Sequence, residues 1–362
     1  MTTDRSQPAP PEFEPPHDVQ DAGGLSAALA VLLAGDTLTD RQTAAAFETI
    51  MTGRAHHGEI GALLGLLATR IPTAQEILGA ARVMRAHVER VESRCDPTSI
   101  VDTAGTGGAP KTFNVSTAAA IIAAGAADDT VVAKHGNRSR TGRGSAEVLG
   151  KLGVNVDADR ATQARCLDEA GICFCFAIHH HPAAKHAMPV RLALGFPTLF
   201  NLLGPLTNPA GARRQLMGVY DRAFLEPIAA ALAELGALRA MVVHSDDGLD
   251  EISITAPTTL LHVREGTLSE ERLDPAALGL ARTTLAELTA RDLDHATAMV
   301  RGVIDGTERG PARDMALVNA AATLLVADEV DSIEDGLQRA TEAIDDGRAR
   351  ETLAKLVAMS RS

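Results

Sequence analysis

The chain has 362 residues, 45% hydrophobic and 22% charged. That globular balance is enough for two domains and a large core, and it excludes a disordered chain, a fibrous repeat or a disulfide-stapled miniature. A formal net charge of −13 disfavours nucleic-acid or anionic-membrane binding but leaves anionic small molecules open, since backbone amides hold them without net positive charge.

Residues 1–22 carry five prolines in the first sixteen positions and no apolar signal core; they read as a tail. Residues 25–92 read as helices. Thr39-Asp-Arg-Gln42 and Thr73-Ala-Gln-Glu76 both fit a capping box. Ile77, Leu78, Ala81, Met84 and Val88 form one helical stripe. A small helical domain is therefore expected over residues 23–96.

Near residue 99 the pattern changes to short apolar runs alternating with Ala-rich helical stretches. Strands are expected at 100–101, 130–133, 172–177 and 240–244, and helices at 115–126, 145–152 and beyond 312. Strand, glycine loop, helix, strand is the order of an α/β domain with a mainly parallel sheet. Its expected span is 97–188 and 214–362. The run from Leu192 to Ala212 is charge-free and long enough to cross a bilayer, but Pro197, Pro205, Pro209, Asn201 and Asn208 interrupt it. Residues 189–213 are expected to cross between the domains and complete the helical one. No membrane partner is expected, and the chain reads as cytoplasmic.

Cys95, Cys166, Cys173 and Cys175 read as small buried hydrophobes in a reducing compartment. Cys173 and Cys175 are expected on opposite faces of a strand and so unable to share a metal. His179, His180 and His181 cannot all face one ion in regular structure, so they read as exposed or substrate-lining.

The segment Asp102 to Thr117 carries the chemistry. Gly105, Gly107 and Gly108 follow a strand and let the backbone approach a ligand closely. Asn114, Ser116 and Thr117 place polar groups at a helix start, where free N–H groups and the helix dipole favour an anion. The pattern is neither a P-loop nor a dinucleotide fingerprint, and it suits phosphate or pyrophosphate. Lys134-His-Gly-Asn-Arg-Ser139 follows the next strand, beside this loop. Its Lys134 and Arg138 offer charge to phosphates, and His135 and Asn137 offer orientable polar groups. Asp246, Asp247, Asp250 and Glu251 follow a later strand; adjacent carboxylates in a Gly-containing loop suit a hard cation such as Mg²⁺ once phosphates are beside them.

These segments, with Phe200-Asn-Leu-Leu-Gly-Pro-Leu-Thr-Asn-Pro209 and His244-Ser-Asp-Asp-Gly-Leu-Asp-Glu251, resemble the anthranilate phosphoribosyltransferase family from about residue 25 to about 345. The resemblance implies transfer of the 5-phosphoribosyl group of phosphoribosyl pyrophosphate to the amine of anthranilate, in tryptophan biosynthesis, with Mg²⁺ as cofactor. It also implies a homodimer formed through the helical domains. By resemblance, Gly105, Gly107, Gly108, Ala109, Thr112, Asn114, Val115, Ser116, Thr117, Arg138 and Ser145 hold phosphoribosyl pyrophosphate. Lys134 neutralises the leaving group and is the catalytic candidate. Gly105, His135, Asn137, His181 and Arg191 receive anthranilate. Asp250, Glu251 and Ser116 hold the metal.

The chain departs from the family at three places. Ala109 stands where most members carry Asp, in a loop one residue shorter, and Lys111 adds a positive charge there. The loop after Arg138 is also short and reads Arg140-Thr-Gly-Arg143, whose arginines would strengthen phosphate contacts. Ile178 stands where the family often has Pro. Two other readings share the fold: a pyrimidine nucleoside phosphorylase-like enzyme, and a non-catalytic nucleic-acid-binding relative. The acidic pair argues against the first, and the net charge and retained Lys134 and Arg191 against the second. No residue stands out as a strong general base. None is required, because an aniline-type amine is already neutral at pH 7 and positioning with electrostatics can carry the reaction.

Overall fold

The computed structural model describes residues 24–139, 142–280 and 283–362. The expected tail over 1–22 and residues Arg140 and Thr141 lie outside them. Four helices come first: α1 (Gly24–Leu33), α2 (Asp40–Met51), α3 (His57–Ala68) and α4 (Ala74–Ala86). Both expected capping boxes form. The Thr39 hydroxyl accepts from the Gln42 amide at 3.2 Å while Gln42 accepts from the Thr39 amide at 3.0 Å. Thr73 and Glu76 do the same at 3.2 and 2.8 Å. The helical stripe stops sooner than expected: α4 ends at Ala86, so Val88 lies beyond it. His87 caps the helix in a turn and residues 88–91 have no regular structure, with the Glu89 amide donating to the His180 carbonyl and the Val91 amide to the Pro209 carbonyl.

The rest of the chain follows an alternating order. It runs β1 (Ile100–Gly105), α5 (Val115–Ala126), β2 (Val131–Gly136), α6 (Ser145–Leu152), α7 (Arg160–Ala170), β3 (Ile172–Phe176), α8 (Ala177–His180), α9 (Met188–Leu194) and α10 (Leu199–Leu203). Next come β4 (Arg214–Gly218), α11 (Leu225–Glu234), β5 (Arg239–Ser245), β6 (Thr258–Arg264) and β7 (Thr267–Leu273). The helices α12 (Leu285–Leu288), α13 (Leu293–Ile304), α14 (Pro311–Val326), α15 (Ile333–Asp345) and α16 (Arg348–Met359) close the chain. The fold is α/β with a helical N-terminal part. One 7-stranded sheet has the order β3-β2-β1-β4-β5-β6-β7. Strands β1 to β5 pair in parallel, and β6 and β7 add an antiparallel edge.

The sheet is covered on both faces, as parallel sheets are. Leu216, Met241 and Val243 face a core shared with α5, α14 and α16. Met217, Val242 and Val263 face the opposite way, into a core that also takes in α11 and the apolar sides of α2, α3, α4 and α10. The helical bundle therefore packs onto the sheet through α11 and shares that core.

Three expectations are corrected here. The first two strands run further than expected, so Gly105 ends β1 itself and Lys134, His135 and Gly136 lie inside β2. Strands β4, β6 and β7 were not expected at all. Cys173 and Cys175 share a face of β3: alternation puts residues i and i+2 on the same side, and their sulfurs are 3.7 Å apart. All four cysteines are free.

Candidate active site

Three neighbouring strands end in glycine: β2 at Gly136, β1 at Gly105 and β4 at Gly218. Gly105 and Gly218 are register partners. Their missing side chains admit Asp250. A Cβ on Gly105 would lie 2.5 Å from the Asp250 carboxylate, and one on Gly218 would lie 2.5 Å from the Asp250 carbonyl carbon. Above these strand ends opens a cleft with about 1050 Å³ of empty space. This is where open parallel sheets bind ligands.

The glycine loop forms one wall. Gly107 has φ +64° and Gly108 φ +101°, conformations that favour glycine. The Gly107 amide donates to Asp250 Oδ2 at 3.2 Å. Gly108 lies against the ring of Tyr220, with a built Cβ 3.2 Å from it, and Tyr220 in turn packs edge-on to Phe224. Ala109, Thr112, Asn114 and Ser116 line the cleft. Val115 and Thr117 do not: both side chains are buried in the first turn of α5, and the Thr117 hydroxyl has no hydrogen-bond partner.

Lys134 sits on the floor, only 3% exposed. Its ammonium donates to the Thr103 carbonyl at 2.8 Å and to Ser116 Oγ at 3.1 Å. Burial pushes its pKa down to about 8, against the opposing pull of Asp102 and Glu251. His135, Asn137, Arg138 and Ser145 line the same wall. The Arg138 guanidinium lies 5.4 Å from the Phe176 ring centre. Arg143 also lines the cleft, but its guanidinium donates to the Ala290 carbonyl.

The acidic cluster splits. Asp246 pairs with Arg272. Asp247 accepts from Ser253 at 2.6 Å and from Thr255. Only Asp250 and Glu251 enter the cleft, where Glu251 accepts from Thr112 Oγ1 at 3.2 Å. Burial, then the neighbouring carboxylate, raises the Glu251 pKa; burial raises that of Asp250, and Lys111 opposes both shifts. Two adjacent desolvated carboxylates gain from a cation. Among the described residues no cluster of three or more His, Cys, Asp or Glu could hold one. An ion on this pair would therefore draw its other oxygens from Ser116, water or a bound phosphate, which suits Mg²⁺.

The histidines separate as well. His179 bonds Asp157 at 2.8 Å, and His180 is buried between the Glu89 carbonyl and Gln163. His181 packs 5.3 Å from His135, centre to centre. Burial lowers both pKa values, that of His181 to about 4, so both rings are neutral at neutral pH. Arg191, on α9, lies over Phe200 at 5.0 Å. Burial alone lowers its pKa, and no carboxylate pairs with it among the described residues. Ile178 is 64% exposed.

Sequence reasoning missed Gly218, Tyr220 and Asn319, which reach the site from β4, the segment after it, and α14. It also missed Asp102 as a buried charge. That carboxylate accepts the His135 amide at 3.0 Å and leaves its second oxygen unbonded, and burial raises its pKa to about 6 against Asn208 and Lys134. For Asp102 and Asn319 a signal existed: each is a polar residue inside an apolar run.

The site is one found in glycosyl transferases. Residues 26–88 match the glycosyl transferase family helical bundle domain, and residues 97–350 its a/b domain. An anthranilate phosphoribosyltransferase of Rubrobacter xylanophilus is 46% identical over 339 residues, covering 93% of this chain and 98% of that one. That of Anaeromyxobacter dehalogenans is 47% identical over 336 residues, covering 92% and 98%. Among solved structures, the Thermus thermophilus enzyme superposes with TM-score 0.86 at 34% identity, over 92% of this chain and 99% of its own. The Saccharomyces cerevisiae enzyme in complex with PRPP and Mg gives 0.85 at 26%, over 95% and 99%. The chain belongs to the anthranilate phosphoribosyltransferase family.

Proposed function

We infer that this chain transfers the 5-phosphoribosyl group of phosphoribosyl pyrophosphate to the amine of anthranilate. The products are N-(5-phosphoribosyl)anthranilate and pyrophosphate, in a Mg²⁺-dependent step of tryptophan biosynthesis. The observation that carries it is one cleft in which a buried ammonium at Lys134 faces half-buried carboxylates at Asp250 and Glu251 over a floor of glycines. The relatives reported above carry the transferase name, which favours this reading over the phosphorylase and nucleic-acid ones.

In this reading the backbone at Gly105, Gly107, Gly108 and Ala109 cradles pyrophosphate, with Thr112, Asn114, Ser116, Arg138 and Ser145 around it. Val115 and Thr117, whose side chains face the core, act through their main chain at the start of α5. Lys134 stabilises charge on the departing pyrophosphate, in a partly dry site where fixed donors act strongly. Asp250 and Glu251, with Ser116, hold Mg²⁺, which when bound neutralises phosphate charge. Arg191 takes the anthranilate carboxylate in its fork. His135, Asn137, His181 and Gly105 orient the ring and amine.

His135 Nε2 and His181 Nδ1 have no hydrogen-bond partner, so these neutral rings are available to a ligand, and a ring titrating at about 4 is a weak base. Catalysis therefore rests on positioning and electrostatics. A sharp bell-shaped rate profile around neutrality, surviving correction for metal and substrate ionisation, would overturn that mechanism.

The experiment is loss of anthranilate fluorescence on adding phosphoribosyl pyrophosphate, with and without Mg²⁺. Loss requiring all three components is expected; no loss in folded protein refutes the assignment.

The chain also forms a homodimer through its helical part and works in the cytoplasm. Leu33 and Leu192, each 75% exposed, offer apolar surface for a second copy to cover. Four free cysteines suit a reducing compartment. Among the described residues no helix is long and apolar enough to cross a membrane. Light scattering that gives the mass of one chain would refute the dimer.

A further inference from the structure

Helix α14 is almost wholly apolar along its buried length, yet it carries Asn319 in the run Leu317-Val-Asn-Ala-Ala321. A buried amide costs stability unless its donors and acceptor are used. Here they are. Asn319 Oδ1 accepts from the Ile252 amide at 3.0 Å, and Nδ2 donates to the Ile252 carbonyl at 2.9 Å and to the Met315 carbonyl at 2.9 Å. The side chain thus grips both main-chain groups of one residue, as a neighbouring strand would. Ile252 is 1% exposed and Asn319 is 3% exposed, so water cannot replace the grip.

Ile252 directly follows Glu251, and no regular element holds residues 246–257. On one side, Asp250 rests on the glycine floor. On the other, Asn319 fixes the peptide that leaves Glu251. We propose that Asn319 is a positioning residue for the metal carboxylates: it sets the Glu251 main chain so that both carboxylates face the cleft before any ion arrives. This rests on the reading of Asp250 and Glu251 as the Mg²⁺ ligands. Groups that orient metal ligands govern affinity as the ligands themselves do.

The test uses the full-length protein and three variants. Asn319→Leu fills the volume and removes all three hydrogen bonds. Asn319→Asp keeps the shape and the acceptor but loses the donors. Glu251→Gln reports on the underlying reading. Mn²⁺ binding in the presence of phosphoribosyl pyrophosphate is followed by electron paramagnetic resonance, alongside the Mg²⁺ dependence of the rate and KM for anthranilate. The expected result is Mn²⁺ affinity roughly 10- to 100-fold weaker in both Asn319 variants, a matching rise in the Mg²⁺ requirement, and anthranilate KM unchanged. A merely structural residue would lower the amount of active protein and leave metal affinity alone. Unchanged Mn²⁺ affinity in either folded Asn319 variant overturns the proposal, and so does failure of both to fold. If Glu251→Gln binds Mn²⁺ as the wild type does, the ligand assignment itself fails. If Glu251→Gln loses Mn²⁺ while the Asn319 variants keep it, only the role of Asn319 fails.

Discussion

Gly218→Ala tests how tightly the metal loop is seated. The new Cβ would lie 2.5 Å from the Asp250 carbonyl carbon and closer still to its oxygen. These are main-chain atoms, and contacts of a real Cβ essentially never fall below 3.0 Å. The loop must therefore retreat, by on the order of 1 Å for the oxygen, and Asp250 and Glu251 retreat with it. Misplacement of that size in a pre-set site costs roughly 100-fold in rate. The accompanying overpacking costs about 1–3 kcal/mol, which a protein of this size should survive. The assay is steady-state anthranilate fluorescence over a Mg²⁺ series, with thermal unfolding measured on the same samples. A folded variant should show kcat/KM down roughly 100-fold and a raised Mg²⁺ requirement. More than half the wild-type rate at unchanged Mg²⁺ requirement would refute the claim that this contact seats the loop. Gly107→Ala is the contrast. It meets nothing within 4 Å but sits at φ +64°, so it should cost about 1–2 kcal/mol of local strain without pushing on Asp250.

Lys134→Ala should lower kcat by about 100-fold or more through weaker leaving-group stabilisation; a loss of only a few-fold would remove it from that role. Arg191→Ala should raise KM for anthranilate roughly 10- to 100-fold with KM for phosphoribosyl pyrophosphate unchanged, and an unaltered anthranilate KM would sink the assignment. Glu76→Ala should destabilise the helical part by about 3 kcal/mol, read as a lower unfolding midpoint, because Glu76 is fully buried and accepts from Arg70, Leu38 and Thr73. Burial opposes its charge, but the Arg70 fork and the two amides outweigh burial and hold the carboxyl below its ordinary value. Its contribution is therefore complete above the ordinary glutamate range and is lost as pH falls through the lowered folded value. Stability of the wild type and Glu76→Ala should converge in acid; a constant gap would refute this.

The parts of the fold legible in the sequence were those with local causes. The boxes at Thr39 and Thr73 name their own helix starts, and helices Val115–Ala126 and Ser145–Leu152 follow polar or glycine-bearing loops that mark them. Strand β7 was not legible because it reads Thr-Leu-Ser-Glu-Glu-Arg-Leu, with charges facing water on a sheet edge. Its one local signal is the Glu265-Gly266 turn, with both residues at positive φ. The site divides the same way. The loops at 105–117 and 134–139 announce phosphate chemistry by composition. Gly218 does not, since it matters only through β4 pairing with β1, and Asn319 shows only as a polar residue in an apolar run, its place set by α14 crossing behind the acidic loop. The four carboxylates between Asp246 and Glu251 are alike in composition, and only the family resemblance singled out Asp250 and Glu251; the contacts of Asp246 with Arg272 and of Asp247 with Ser253 give the physical reason, separating those two from the pair facing the cleft.

Tyr220 is the chain's one tyrosine, and the chain has no tryptophan. Its ring rests on Gly108, and its amide donates to Thr106 at 3.2 Å. Beside the weak emission of eight phenylalanines, the protein's ultraviolet fluorescence thus comes from a single tyrosine packed against the glycine loop. A ligand that stiffens or dries that loop should change the tyrosine emission. Occupancy of the proposed pyrophosphate cradle should therefore be visible in tyrosine emission, without a label, without anthranilate and without turnover.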